Sequence, residues 1–148
     1  MQLKTLLSTT LILLFGQSFS QNYVVIKNKD KFDIYKSGKK ISKSSYDDIK
    51  QLPGDYFGFK QKNKYGLLNP DGTIAIPNTF DDMRPFSDEL FLVKKNNKWG
   101  LVSHKNRIRL SIEYDDFQKH NDYLFKITGS EGSGFINAQG VMLIPPIY

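Results

Sequence analysis

The sequence contains no cysteine. That excludes disulfides and thiolate metal sites, so folding must rest on burial and hydrogen bonding alone. The two histidines, His104 and His120, have no second histidine or cysteine at a metal-ligand spacing. No serine sits in a Gly-x-Ser-x-Gly elbow, the strained turn that exposes a nucleophile. Nowhere does a stretch of about 12 residues keep a clean helical period. Beyond residue 20 no run is apolar enough to span a membrane. These absences leave no catalytic, cofactor-binding or metal-ligating constellation, and the expectation is a protein that is not an enzyme and needs no cofactor.

The first twenty residues differ from the rest. Lys4 is their only charge, Leu6–Phe15 is an apolar run, and small residues stand at Ser18 and Ser20. This pattern predicts a secretory signal peptide over 1–20, cut near Ser20–Gln21. Without a cysteine no lipid can be attached there. The expectation is an exported protein, periplasmic or extracellular, with one domain over 21–148. The net charge is +6, but the lysines cluster at turns such as Lys60–Lys64 and Lys94–Lys98. Lysine at turns and strand edges keeps sheets soluble, so no nucleic-acid partner is expected.

What is present is a repeat. Tyr46-Asp47-Asp48 recurs as Phe80-Asp81-Asp82 and Tyr114-Asp115-Asp116, 34 residues apart each time, with Tyr148 on the same register. Gly66, Gly100 and Gly134 keep that spacing, as do Phe57, Phe91 and Phe125, and Ile76, Leu110 and Ile144. The units read 23–55, 56–89, 90–123 and a partial 124–148. The first is one residue short, in the turn before Gly38, where loss is cheap.

Within a unit the apolar residues stand two apart: Phe57 and Phe59, Ile74 and Ile76, Ile108 and Leu110. Period two is the signature of strands, not of a helical repeat of the same length. Asn69-Pro70-Asp71-Gly72, Gln61-Lys62-Asn63 and Lys95-Asn96-Asn97 supply turn chemistry between them. The predicted fold is all-β: three-stranded meanders in tandem, each followed by a longer connection through the Asp-Asp pair. The units stack in an open, curved array, or alternatively in a propeller-like ring. Met83 and Phe86 are expected to pack the connection down, with Ile49 and Phe117 in the Met83 column.

Lys98-Trp99-Gly100-Leu101-Val102 and Lys64-Tyr65-Gly66-Leu67-Leu68, with Ile144-Pro145-Pro146-Ile147-Tyr148 and Tyr114-Asp115-Asp116, resemble the motifs of WG (KWG) repeats. The resemblance covers essentially all of 23–148. Only Trp99 keeps the tryptophan; Phe32 and Tyr65 replace it with other aromatics, Ser133 with a hydroxyl, and Asp33 replaces the glycine of the first unit. The resemblance implies an exported interaction scaffold and no particular chemistry.

Among single residues, the three Asp pairs suit calcium only if six to eight oxygens converge, and Asp equally suits a turn where it accepts backbone N–H groups. The run Gly129–Gly134 falls at a hairpin turn and precedes no helix, so it is not a phosphate loop. Tyr65 and Trp99 are the candidate partner or ligand contacts. The expected partners are proteins first and envelope glycans second. A sugar would need both rings in solvent on one face, whereas a scaffold allows them to be buried. The end strands of a short array are open to pairing with a second copy.

Overall fold

A computed structural model of the chain describes residues 23–147; the predicted signal segment lies outside them. The fold is all-β and forms four small antiparallel sheets. The first holds β1 (Tyr23–Asn28), β2 (Lys31–Lys36) and β3 (Lys39–Lys40). The second holds β4 (Asp48–Gln51), β5 (Phe57–Gln61), β6 (Lys64–Leu68) and β7 (Ile74–Phe80), with a short 3₁₀ turn at Pro53–Asp55. The third holds β8 (Asp82–Pro85), β9 (Leu90–Lys95), β10 (Lys98–Ser103) and β11 (Ile108–Tyr114). The fourth holds β12 (Asp116–Lys119), β13 (Leu124–Gly129), β14 (Gly132–Asn137) and β15 (Met142–Ile144). None of the sheets closes into a barrel. Among the described residues no helix is long and apolar enough to cross a membrane.

Each sheet is a meander whose strands pair in chain order. The central hairpins turn tightly: Lys62-Asn63 and Asn96-Asn97 all have positive φ. Two consecutive residues in that region define the turn that matches strand twist, and asparagine tolerates it. The second turn is built by Asp71, which accepts from the Thr73 N–H at 2.9 Å, while Gly72 takes a φ of +83°.

The expected connection after Asp-Asp forms a strand, the first of the next sheet. β7 ends at Phe80 and β8 begins at Asp82, so one bent strand closes the second sheet and opens the third. Tyr114–Asp116 repeats this corner between the third and fourth. Such a strand is only four residues long and has one inward apolar side chain, Ile49, Met83 or Phe117. That is too short for alternation to reveal, and its proline or lysine end suits an edge.

The core lies between sheets rather than inside one. Val25, Ile34 and Tyr46 of the first unit meet Ile49, Phe57, Phe59 and Leu68 of the second sheet. Leu67, Ile76 and Phe80 meet Phe91, Val93 and Val102. Leu101, Leu110 and Tyr114 meet Ile127 and Ile136. The second and third sheets are therefore buried on both faces, which explains consecutive apolar pairs such as Leu67-Leu68 and Leu101-Val102. Each sheet packs on its neighbours in sequence, so the array is a quasi-one-dimensional stack.

The repeated glycines mark a close approach. A Cβ on Gly66 would stand 2.6 Å from the Ile76 carbonyl oxygen, and one on Gly100 2.7 Å from the Ile112 Cα. The pairing slips at this point, with Trp99 opposite Tyr114 but Leu101 opposite Leu110, so the outer strand bulges over the glycine. In the first sheet the outer strand stops at Lys40 and the chain departs. Asp33 occupies the glycine's place, and its buried carboxylate accepts from Ser45 Oγ at 2.8 Å and faces Lys40 Nζ at 2.9 Å. The segment between Lys40 and Tyr46 thus presents Ser42 and Ser45 to a side chain at this place.

Candidate functional site

Pairing places four side chains in a row across one face of each middle sheet. In the second sheet they are Asp48, Lys60, Tyr65 and Phe80. In the third they are Asp82, Lys94, Trp99 and Tyr114. The first sheet keeps the last three, Lys27, Phe32 and Tyr46. The lysine lies over the aromatic ring each time, with Nζ 5.5 Å from the Phe32 centroid, 5.3 Å from Tyr65 and 5.3 Å from Trp99. Arg84 covers Trp99 as well, at 5.1 Å. A cation over a ring is attracted by its quadrupole, most strongly for tryptophan.

The fourth sheet replaces both members together. Thr128 takes the lysine's place and Ser133 the aromatic's, and their hydroxyls lie 3.2 Å apart in a hydrogen bond. The two positions form one unit, since either residue alone would face the wrong partner.

The Asp-Asp corners pin sheet to sheet. Asp47 pairs with Lys31 of the first sheet and accepts from the Lys62 N–H of the second sheet's turn at 2.8 Å. Asp81 does the same with Lys64 and the Asn96 N–H at 2.9 Å. Asp115 pairs with Lys98. The hydrogen bonds from lysine and backbone hold the Asp47 and Asp81 carboxyls below the ordinary carboxylate range. Burial pushes Asp33 up, but the donors Lys40, Ser45 and Ser42 outweigh it and leave it lowered. Of the second aspartates, Asp48 and Asp116 accept the next residue's N–H, at 2.9 Å in both, and Asp82 pairs with Arg84. The pairs thus serve corners. Among the described residues no three His, Asp or Glu side chains gather closely enough to hold a metal ion.

Between consecutive sheets the faces splay into clefts. The one between the second and third has a volume of about 290 Å³ and is lined by Lys50, Leu52, Gly58, Tyr65, Met83 and Arg84, among others. The one between the third and fourth is wider, about 610 Å³, with Arg84, Phe86, Leu92, Phe117 and Lys119 in its wall. These are the same columns one repeat on, so the cleft is itself a repeated feature. In the wider one Phe86 packs on Phe125 in a tilted pair, ring centroids 4.4 Å apart.

Tyr65 and Trp99 therefore stand one repeat apart, half-buried, each with its ring face covered by a cation. Tyr65 lines the narrower cleft. The clefts have no local signature in the sequence, because each is walled by two different sheets. His104 lies 5.4 Å from the Tyr56 ring and His120 6.1 Å from Phe135, both as packing partners.

An open stack of antiparallel β-repeats, bound by aspartate corners and lysine-capped aromatics, is the class that this fold defines. The family model described as WG containing repeat matches residues 65–99 and 134–148. No curated protein and no solved structure matches the chain.

Proposed function

We propose that the chain is an exported, non-catalytic interaction scaffold whose partners are proteins, working in the periplasm or outside the cell. The observation that carries this reading is the row of open edges. β7, β11 and β15 each form the edge of a sheet. Ile74 and Ile108, in the same column, point to solvent from consecutive edges, and Leu143 is exposed on the third. Unpaired edge groups beside apolar side chains are what an added strand of a partner takes up. The N-terminal pattern supports export.

Immobilised 21–148 is challenged with a bacterial envelope extract separated into protein and glycan fractions. The scaffold reading expects capture of one or two proteins, lost when Ile74→Asp and Ile108→Asp are combined in a variant of unchanged Tm. Retention on peptidoglycan or polysaccharide, lost on Trp99→Ala, is the outcome of the glycan-binding alternative. That alternative has less support, because cations cover both rings. Mass spectrometry of the secreted chain checks the export half: its first residue should be Gln21.

A further inference from the structure

We infer that the cleft between the second and third sheets is a binding site for a small organic anion, an aryl carboxylate of one or two rings. One wall of the site lacks a side chain of its own. Gly58 stands where the next unit has Leu92, and it leaves a hollow beside Leu52, Met83, Pro85 and the Tyr65 ring. Nothing forces glycine there. Its φ is not in the left-handed region, and a Cβ would press on the tip of Leu52 at 3.3 Å and meet the Lys50 carbonyl oxygen at an ordinary 3.8 Å. Gly66, by contrast, is needed for a backbone crossing. The hollow, about 290 Å³, matches the lower end of small-ligand pockets.

The rim sets the charge. Lys50, Lys60 and Arg84 face the cleft against a single carboxylate in its lining, Asp48. Asp48 is partly occupied by the Ile49 N–H at 2.9 Å. Lys60 is held over Tyr65 and Arg84 is held by Asp82. Lys50, exposed and in no ion pair among the described residues, is the cation left to meet a ligand carboxylate. Leu52, Met83 and the Tyr65 ring supply the apolar wall for a flat body, with the carboxylate at the rim. The site does not depend on the scaffold reading, since it needs no protein partner.

The test is an NMR titration of the 15N-labelled protein with 1-naphthoate, using 1-naphthylmethanol as the uncharged counterpart. Saturable shifts centred on Gly58, Leu52 and Met83, with a Kd of about 1 mM or below, are expected. Gly58→Leu, which copies the next unit, should weaken naphthoate at least about tenfold without lowering Tm. Lys50→Glu should weaken naphthoate and leave the alcohol unchanged. The inference is overturned if the shifts do not saturate, if Gly58→Leu binds as the wild type does, or if acid and alcohol bind equally.

Discussion

Trp99 sits directly opposite Tyr114 across the pair β10 and β11. Tyr65 meets Phe80 and Phe32 meets Tyr46 in the same way. The two aromatic signatures of the repeat, one before glycine and one before Asp-Asp, are thus two ends of one cross-strand contact. The half-buried member carries a lysine, and the buried member plugs the gap between sheets.

Lys94 and Trp99 should behave as one unit. A double-mutant cycle with Lys94→Thr and Trp99→Ser is expected to give a coupling of about 0.5–1 kcal/mol. Urea unfolding of the four proteins measures it. Additive single costs would show that the ring and the cation are independent.

Gly100→Ala should destabilise, because the new Cβ would stand 2.7 Å from both the Ile112 Cα and the Ser111 oxygen. Backbone cannot step aside as a side-chain tip can, so the cost is expected at about 1–3 kcal/mol. Gly58→Ala, with only a side-chain tip in tight contact, should stay within about 0.5 kcal/mol. Chemical denaturation of the pair checks the contrast.

Ile76 and Ile144 share a column but not an environment. Ile76 is 0% exposed, covered by the third sheet, and Ile144 is 47% exposed. Ile76→Ala should cost about 2–5 kcal/mol, and Ile144→Ala less than about 1 kcal/mol. Equal losses in urea midpoints would mean that the outer face of the fourth sheet is covered in solution.

Acid should weaken the first sheet in part through Asp33. The folded-state pKa of Asp33 is lowered, so its contribution is present above the ordinary carboxylate pKa of 3.8. That contribution is lost as pH falls through the lowered value. Asp33→Asn should flatten the decline in stability below about pH 4. Backbone amide exchange at Ile34, whose N–H is held by Ser42 at 3.0 Å, reports the change locally. An unaltered pH profile in the variant would remove Asp33 from this role.

The period of 34, the strand assignment and the turn positions were legible in the sequence because each rests on local chemistry. Asn96-Asn97 favours positive φ wherever it stands, and Phe57 with Phe59 alternates wherever the strand goes. The spacing of the glycine column was legible too, and the bulge opposite Gly100 is the close approach it serves. The opening strand of each four-stranded sheet was not legible. Asp82–Pro85 carries one inward residue, and nothing local distinguishes it from a connection until β9 lies beside it. The two-sided burial of the middle sheets was hidden for the same reason. Leu67-Leu68 breaks the alternation, and only the neighbours on either side show that both residues point into core.

The sequence by itself determined that this chain is a tandem β-repeat of period 34, with strands of alternating burial and tight turns between them. Turn conformations, Cβ clashes and side-chain alternation act over a few residues, so they are written in the local order of the chain. Only the tertiary structure decided that the strand after each corner changes sheets, that the core lies between sheets, and that clefts open between the second and third and between the third and fourth sheets. Those features depend on which faces meet across the stack, and packing between distant segments is fixed by the sum of many weak contacts rather than by any one motif.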